Sequence, residues 1–360
     1  MRRRAAAAIT RVSLPLLGAM NPEFAHDLAL TAARYLAPLW AADEVPPGLG
    51  LHCLGLSFAH PVGLAAGFDK NGDYLDVLGG MGFSHVELGT VTPRPQPGNP
   101  KPRMFRFPAA RALVNRMGFN NKGAEHLVAQ LERSRYRGIR GISIGKNFDT
   151  PFEQSQDDYL ACMRTVYAHA DYIAVNVSSP NTARLRELQS VDGLDRILGA
   201  LLEERLRLRA RHGRNVPLLV KVAPDLTAEQ ISALAARLRA LQVDGVIATN
   251  TSTNLREFVP PGQSGGLSGE PLHRLSMAVI AQLRAELGAD FPIIGVGGIV
   301  SAENALASLR AGANLIQIYT GFAYRGQLLL EEILRSLAQS AAIPSPRGPP
   351  PGVITDAAQL

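Results

Sequence analysis

Asn176, Ser178, Ser179 and Asn181 fall within eight residues, 176–183 (NVSSPNTA), directly after the apolar run 172–175 (YIAV). That run reads as a buried strand. The chain must turn at Ser179-Pro180, because a residue before proline is pushed out of the helical region. Two amides and two hydroxyls therefore sit just past the carboxyl end of a strand. Amide side chains offer donors and an acceptor to a planar, amide-rich ligand. A serine at the same place can move a proton if its surroundings order it. The competing reading is an Asx/Ser turn that satisfies only its own backbone.

The same pattern recurs elsewhere. Apolar runs end in AGFDKN (66–71), GTVTP (89–93), GKN (145–147) and TNT (249–251), and a further run, 218–222, carries Lys221 into VAP. Two later runs end in GVGGI (295–299) and YTG (319–321). Glycines there let a phosphate approach backbone N–H groups, often at a helix start. A phosphorylated cofactor such as a flavin suits them. Lys70 and Lys221, beside strand ends, suit an anionic substrate group and the electron-rich edge of a reduced flavin. The segment 115–121 (NRMGFNN) joins an amide to a glycine that exposes backbone N–H groups, a combination fit for a carboxylate clamp.

Something must bring these ends together. Eight β-rich apolar runs occupy 62–66, 85–89, 141–145, 172–177, 218–222, 245–248, 293–296 and 315–319, most of them separated by helical periodicity such as 188–211 and 228–241. Continuous apolar strands alternating with helices predict an α/β fold, a parallel sheet closed as a (β/α)8 TIM barrel, with the site at the carboxyl ends of the strands. Phosphate sites in such barrels form after strands seven and eight. The alternative is a doubly wound open sheet, but no GxGxxG follows the first strand.

At 360 residues and 46% hydrophobic content, the chain suits one such barrel with an extension. Residues 1–45 read as that extension, a small helical unit. Asn21-Pro22-Glu23 signals a helix start. Phe24, Leu28, Ala32, Tyr35 and Leu39 then recur at helical spacing, with Leu36 and Trp40 widening the face. They predict either packing on the barrel or rest on a bilayer. Residues 46–340 form the barrel, and the Pro-rich segment 341–360 is expected to be disordered. Arg2, Arg3, Arg4 and Arg11 precede the first acid, so four of the six excess positive charges lie in the first 22 residues. That argues against a general nucleic-acid surface and for a basic end near anionic lipid. A signal peptide is disfavoured by Thr10, Arg11 and Pro15; an Arg-rich mitochondrial presequence is conceivable. Cys53 and Cys162 have no metal-ligand spacing, and no apolar stretch is long enough to span a membrane.

The chain resembles a dihydroorotate dehydrogenase of the quinone-linked, membrane-associated class (class 2). The motifs carrying the resemblance are GLAAGFDKNG, ELGTVTPRPQPGNPKPRMFR, NRMGFNN, NVSSPNT, KVAPDL, IATNT, GGLSGEPL, IIGVGGI and QIYTGF, spread over about 22–326. The resemblance implies FMN held by Ala66, Gly67, Thr90, Asn176, Lys221, Thr249, Gly269, Gly298, Tyr319 and Thr320. Ser143 stands where many relatives carry an asparagine against the flavin. Its shorter side chain implies a lost or water-bridged contact. Dihydroorotate or orotate would meet Lys70, Asn115, Arg116, Met117, Gly118, Phe119, Asn176, Asn181, Asn250 and Thr251.

Ser179 would be the catalytic base, where soluble relatives carry cysteine. His26 and Arg106 would flank a quinone tunnel under the N-terminal helices. The implied reaction oxidises (S)-dihydroorotate to orotate in de novo pyrimidine synthesis, on the cytoplasmic face of a bacterial membrane or at the mitochondrial inner membrane. The protein would be peripheral, monomeric, metal-free and without a nucleic-acid partner. Rival readings are a 2-hydroxy acid oxidase, for which the strand ends offer no histidine, a soluble relative using fumarate or NAD, and a non-enzymatic ligand-binding barrel.

Overall fold

Buried on both faces, the apolar runs pair in chain order. The computed structural model describes residues 2–36, 45–182, 185–189, 191–259 and 264–340. Eight parallel strands form a closed barrel. They are β1 (Val62–Leu64), β2 (His85–Val91), β3 (Ile139–Ile144), β4 (Tyr172–Asn176), β5 (Leu218–Val222), β6 (Gly245–Ala248), β7 (Ile293–Val296) and β8 (Leu315–Ile318). Each pairs with the next, and Ile316 opposite Val62 closes the ring. Every residue of β2, β4, β5, β6, β7 and β8 is buried, so an apolar run without alternation is what these positions demand. The connecting helices complete the (β/α)8 barrel. One of them, Ala228–Ala240, starts in a capping box between Thr227 and Gln230.

The amino end of the barrel is plugged by a hairpin, Leu51–Cys53 with Leu56–Phe58. Its Leu51, Cys53 and Phe58 join Tyr172, Leu219, Ile247 and Ile294 in one cluster. At the opposite end lies a sheet with no counterpart in the sequence reading. Met104–Phe107 and Ala112–Asn115 form a hairpin, and Gly266–Gly269 adds to it antiparallel from far along the chain. This sheet carries Asn115 to the rim.

Two helices precede the barrel, α1 (Arg2–Gly18) and α2 (Pro22–Tyr35). Asn21 caps α2 by accepting from the N–H groups of Glu23 and Phe24, with Pro22 in the first turn, as its sequence predicts. Glu23, Ala25, Leu30 and Ala33 are the buried positions of α2. The spaced face Phe24, Leu28, Ala32 and Tyr35 is exposed instead, beside Val12, Leu16 and Met20. Leu39, Trp40 and the segment 341–360 lie outside the described residues.

Candidate active site

The strand ends converge on one cavity of about 1010 Å³, part of it open to solvent. Gly67 follows β1 and has φ +95°, a left-handed value that favours glycine. Thr90 comes from β2, Asn176 and Ser179 from the end of β4, and Lys221 from β5. Thr249, Asn250 and Thr251 follow β6, Gly298 follows β7, and Tyr319 and Thr320 follow β8. All of them line the cavity, together with Ala66, Lys70, Asn115, Met117, Gly118, Phe119, Asn181 and Gly269. Two of the expected flavin and substrate contacts, Ser143 and Arg116, stand apart from this wall. Ser143 is fully buried behind Thr90, with their hydroxyls 2.8 Å apart. Arg116 turns away, donating to the carbonyl of Pro102 and covering the Phe105 ring. Asn120 and Asn121 close the NRMGFNN run without reaching the wall; Asn121 is buried and bonds Thr92 and Phe119.

The amides of the rim are ordered in two sets. Asn176 Nδ2 donates to Thr90 Oγ1 (2.8 Å), and Asn250 Nδ2 donates to Asn176 Oδ1 (3.2 Å) and Ser178 Oγ (3.0 Å). Asn181 Nδ2 donates to Asn115 Oδ1 at 3.1 Å, joining the β4 loop to the accessory sheet. Ser179 Oγ accepts from the Asn181 N–H at 3.3 Å and is 6% exposed. Arg186 fastens this loop from behind, donating to the Ser178 and Thr251 carbonyls and to Asp225. These bonds hold the rotamers of the wall before any ligand arrives.

Charge is placed at two depths. Lys70 Nζ donates to the Gly67 carbonyl at 2.9 Å, and the surrounding protein pushes its pKa below the ordinary lysine value. Lys221 Nζ lies deeper, 3.1 Å from Glu87 Oε1. Glu87 also accepts from Tyr172 (3.1 Å) and Gln317 (2.8 Å) through Oε2. Neither Glu87 nor Gln317 was singled out from the sequence. The available signal was a carboxylate and an amide inside apolar strand runs, where an unpartnered polar group is costly.

The cavity fits a flat, phosphorylated cofactor. Gln317 lines it and leaves its buried Oε1 without a partner. Val296, Ile299, Leu272 and Ala65 supply apolar faces. At Gly298, with φ +72°, a Cβ would lie 2.4 Å from the His273 backbone, so no side chain can screen the backbone there. His26 and Arg106 sit at the seam between helices and barrel. His26 Nε2 is 2.9 Å from the Phe68 carbonyl, its ring edge-on to Phe68 at 4.8 Å. Arg106 donates to the Leu17 and Gly18 carbonyls at the end of α1 and lines a separate groove with Met20 and Met104.

This is the rim of an oxidoreductase-type α/β barrel, with a buried serine, several amides and two lysines gathered around one cavity. A sequence profile of the family described as Dihydroorotate dehydrogenase matches residues 49–340. Similar curated proteins include the Dihydroorotate dehydrogenase (quinone) of Aromatoleum aromaticum, 49% identical over 92% of this chain and 95% of that protein. That of Verminephrobacter eiseniae is 52% identical over 92% and 94%. Among solved structures, Eimeria tenella DHODH in complex with ferulenol superposes with a TM-score of 0.82 at 35% identity, covering 90% of this chain and 93% of that one. The chain belongs to the dihydroorotate dehydrogenase family.

Proposed function

We propose that the chain oxidises (S)-dihydroorotate to orotate with FMN in the barrel and a membrane quinone as electron acceptor, in pyrimidine biosynthesis. The observation that carries the reading is the convergence of Ser179, Lys70, Asn115, Asn181 and Asn250 with Lys221 on one cavity. Residues 46–340 are the catalytic unit in this reading, and 1–45 the membrane and quinone unit. Ser143 then supports the flavin through Thr90 rather than touching it.

The asparagines hold the amide edges of the substrate ring, and Lys70 offsets its carboxylate. Ser179 takes the proton from C5, which the neighbouring carbonyl acidifies. A serine is a weak base and needs an ordered path onward for that proton. Bound FMN would supply the hydride acceptor and the two-electron link to the quinone. Gln317 and Lys221 would bind its ring, and the glycines after β7 and β8 its phosphate.

The exposed apolar face of α1 and α2 supports peripheral membrane docking. Among the described residues, no helix is long and apolar enough to cross a membrane. The test is anaerobic: dihydroorotate should bleach the visible flavin spectrum, and added quinone should restore it. A flavin that does not bleach would overturn the substrate assignment.

A further inference from the structure

We propose that α2 holds the substrate loop in place through a buried relay from Glu23 to Arg103 to Asn99, three positioning residues for the anionic substrate. The inference rests on the reading of the cavity given above.

Glu23 stands in the first turn of α2 and is 9% exposed; Arg103, 80 residues away, is 6% exposed. Arg103 Nη2 donates to Glu23 Oε1 at 2.7 Å, and its Nε reaches both carboxylate oxygens at 3.2 Å. The other arm of the same planar fork points away from the helix. Nη1 donates to the carbonyls of Pro97 (2.6 Å) and Asn99 (2.9 Å). A rigid guanidinium engaged on both sides fixes the distance between what it holds.

Asn99 continues the path into the rim. Its Nδ2 donates to the Arg116 carbonyl (2.9 Å) and to the Asn181 carbonyl (3.4 Å), and its backbone N–H to Met117 (3.0 Å). Gly118 is pressed against it, with φ +70° and space for a Cβ only 2.8 Å from Asn99 Cγ. So one side chain touches both loops that present Asn115, Gly118 and Asn181 to the cavity. Gln96 gives a second support, donating to the carbonyls of Gly118 and Phe119. Breaking the relay should therefore loosen the loop without collapsing it.

Direction separates this from simple electrostatics. Glu23 carries a negative charge felt at Lys70. Removing it should, by Coulomb's law alone, tighten an anionic ligand. The relay demands the opposite.

The test is a spectral titration of the full-length FMN holoenzyme with orotate. In Glu23→Gln, Kd for orotate should rise about tenfold, inside the roughly 5- to 150-fold span usual for coupled sites. KM for dihydroorotate should follow it. The double variant Glu23→Gln/Asn99→Ala should bind no more weakly than Asn99→Ala, because the two act in series. By reciprocity, orotate should slow proteolysis within α1 and α2 of the wild type but not of Asn99→Ala. An unchanged or tighter Kd in Glu23→Gln, or fully additive penalties, would overturn the relay while leaving the cavity's function standing. If Glu23→Gln does not fold, orotate protection persisting in Asn99→Ala overturns it. A wild-type holoenzyme that binds no orotate overturns both readings.

Discussion

Lys221 and Glu87 face each other inside the barrel, Nζ 3.1 Å from Oε1, with the Glu87 side chain completely shielded from solvent. The carboxylate is satisfied on its other oxygen by Tyr172 and Gln317, so all four side chains form one polar island beneath the cavity. A buried pair adds little net stability when complete, but removing one partner strands the other charge. Glu87→Ala should therefore destabilise the protein by about 3–5 kcal/mol. It should also lose flavin, because Lys221 would no longer be aimed at the cavity. Chemical denaturation and the flavin-to-protein absorbance ratio check this. Glu87→Gln keeps the shape and should fall in between.

Lys70 should govern affinity for the anionic substrate. Its pKa lies below the ordinary lysine value because of desolvation, opposed by the charges of Asp27 and Glu23. The charged form is therefore lost at a lower pH than for a free lysine, and substrate KM should climb there with alkalinity. Lys70→Met should raise KM at neutral pH by roughly 10- to 100-fold, the equivalent of a lost charged hydrogen bond. It should also flatten the alkaline rise. Steady-state kinetics across pH decide it.

His60 predicts an acid weakness of the fold. Burial pushes its pKa down to about 4, against the opposing pull of the Gly82 carbonyl. Nε2 sits 2.8 Å from that carbonyl and Nδ1 accepts from the Val62 N–H, an arrangement only the neutral ring can make. Between the ordinary value of 6.5 and about 4, the unfolded chain takes a proton that the folded chain refuses, so stability falls as pH drops. The full loss from this one residue is about 3 kcal/mol. Asp69, pushed up to about 6 by burial, works in the opposite sense over part of the same window. Comparing wild type with His60→Gln by denaturation from about pH 7 to about pH 4.5 isolates the histidine. The wild type should lose ground steadily on acidification; parallel curves would contradict the assignment.

Phe24, Leu16 and Val12 are more than half exposed on the N-terminal helices. A membrane would cover them. Phe24→Glu should weaken binding to anionic vesicles by roughly 10- to 100-fold, from the burial of one large side chain. Reduction of bound flavin by dihydroorotate should be unaffected. Co-sedimentation with vesicles tests the first statement and stopped-flow absorbance the second.

The barrel was legible because its strands are buried on both faces and leave unbroken apolar runs, as in 218–222. Asn21-Pro22-Glu23 gave the start of α2 for an equally local reason. The polar strand ends identified most of the cavity wall because barrel geometry sends every one of them to the same rim. The accessory sheet escaped notice because Met104–Phe107 is mostly only partly buried and so leaves no apolar run, and because Gly266–Gly269 pairs with Ala112–Asn115 across a large sequence gap. The same non-locality hid Glu23 with Arg103 and Glu87 with Lys221. The stripe on α2 was legible as a stripe; which way it faced was not, since periodicity cannot tell a core from a membrane.

Ser179 carries the central claim, and the reductive half-reaction tests it most directly. Stopped-flow reduction of the flavin by dihydroorotate should be compared in wild type and Ser179→Ala, both loaded with FMN. The variant should keep its flavin and its affinity for orotate, yet reduce the flavin about 10²–10⁴-fold more slowly, the usual cost of losing a positioned base. Reduction at a near-normal rate in Ser179→Ala would contradict the account and remove this serine from the chemistry.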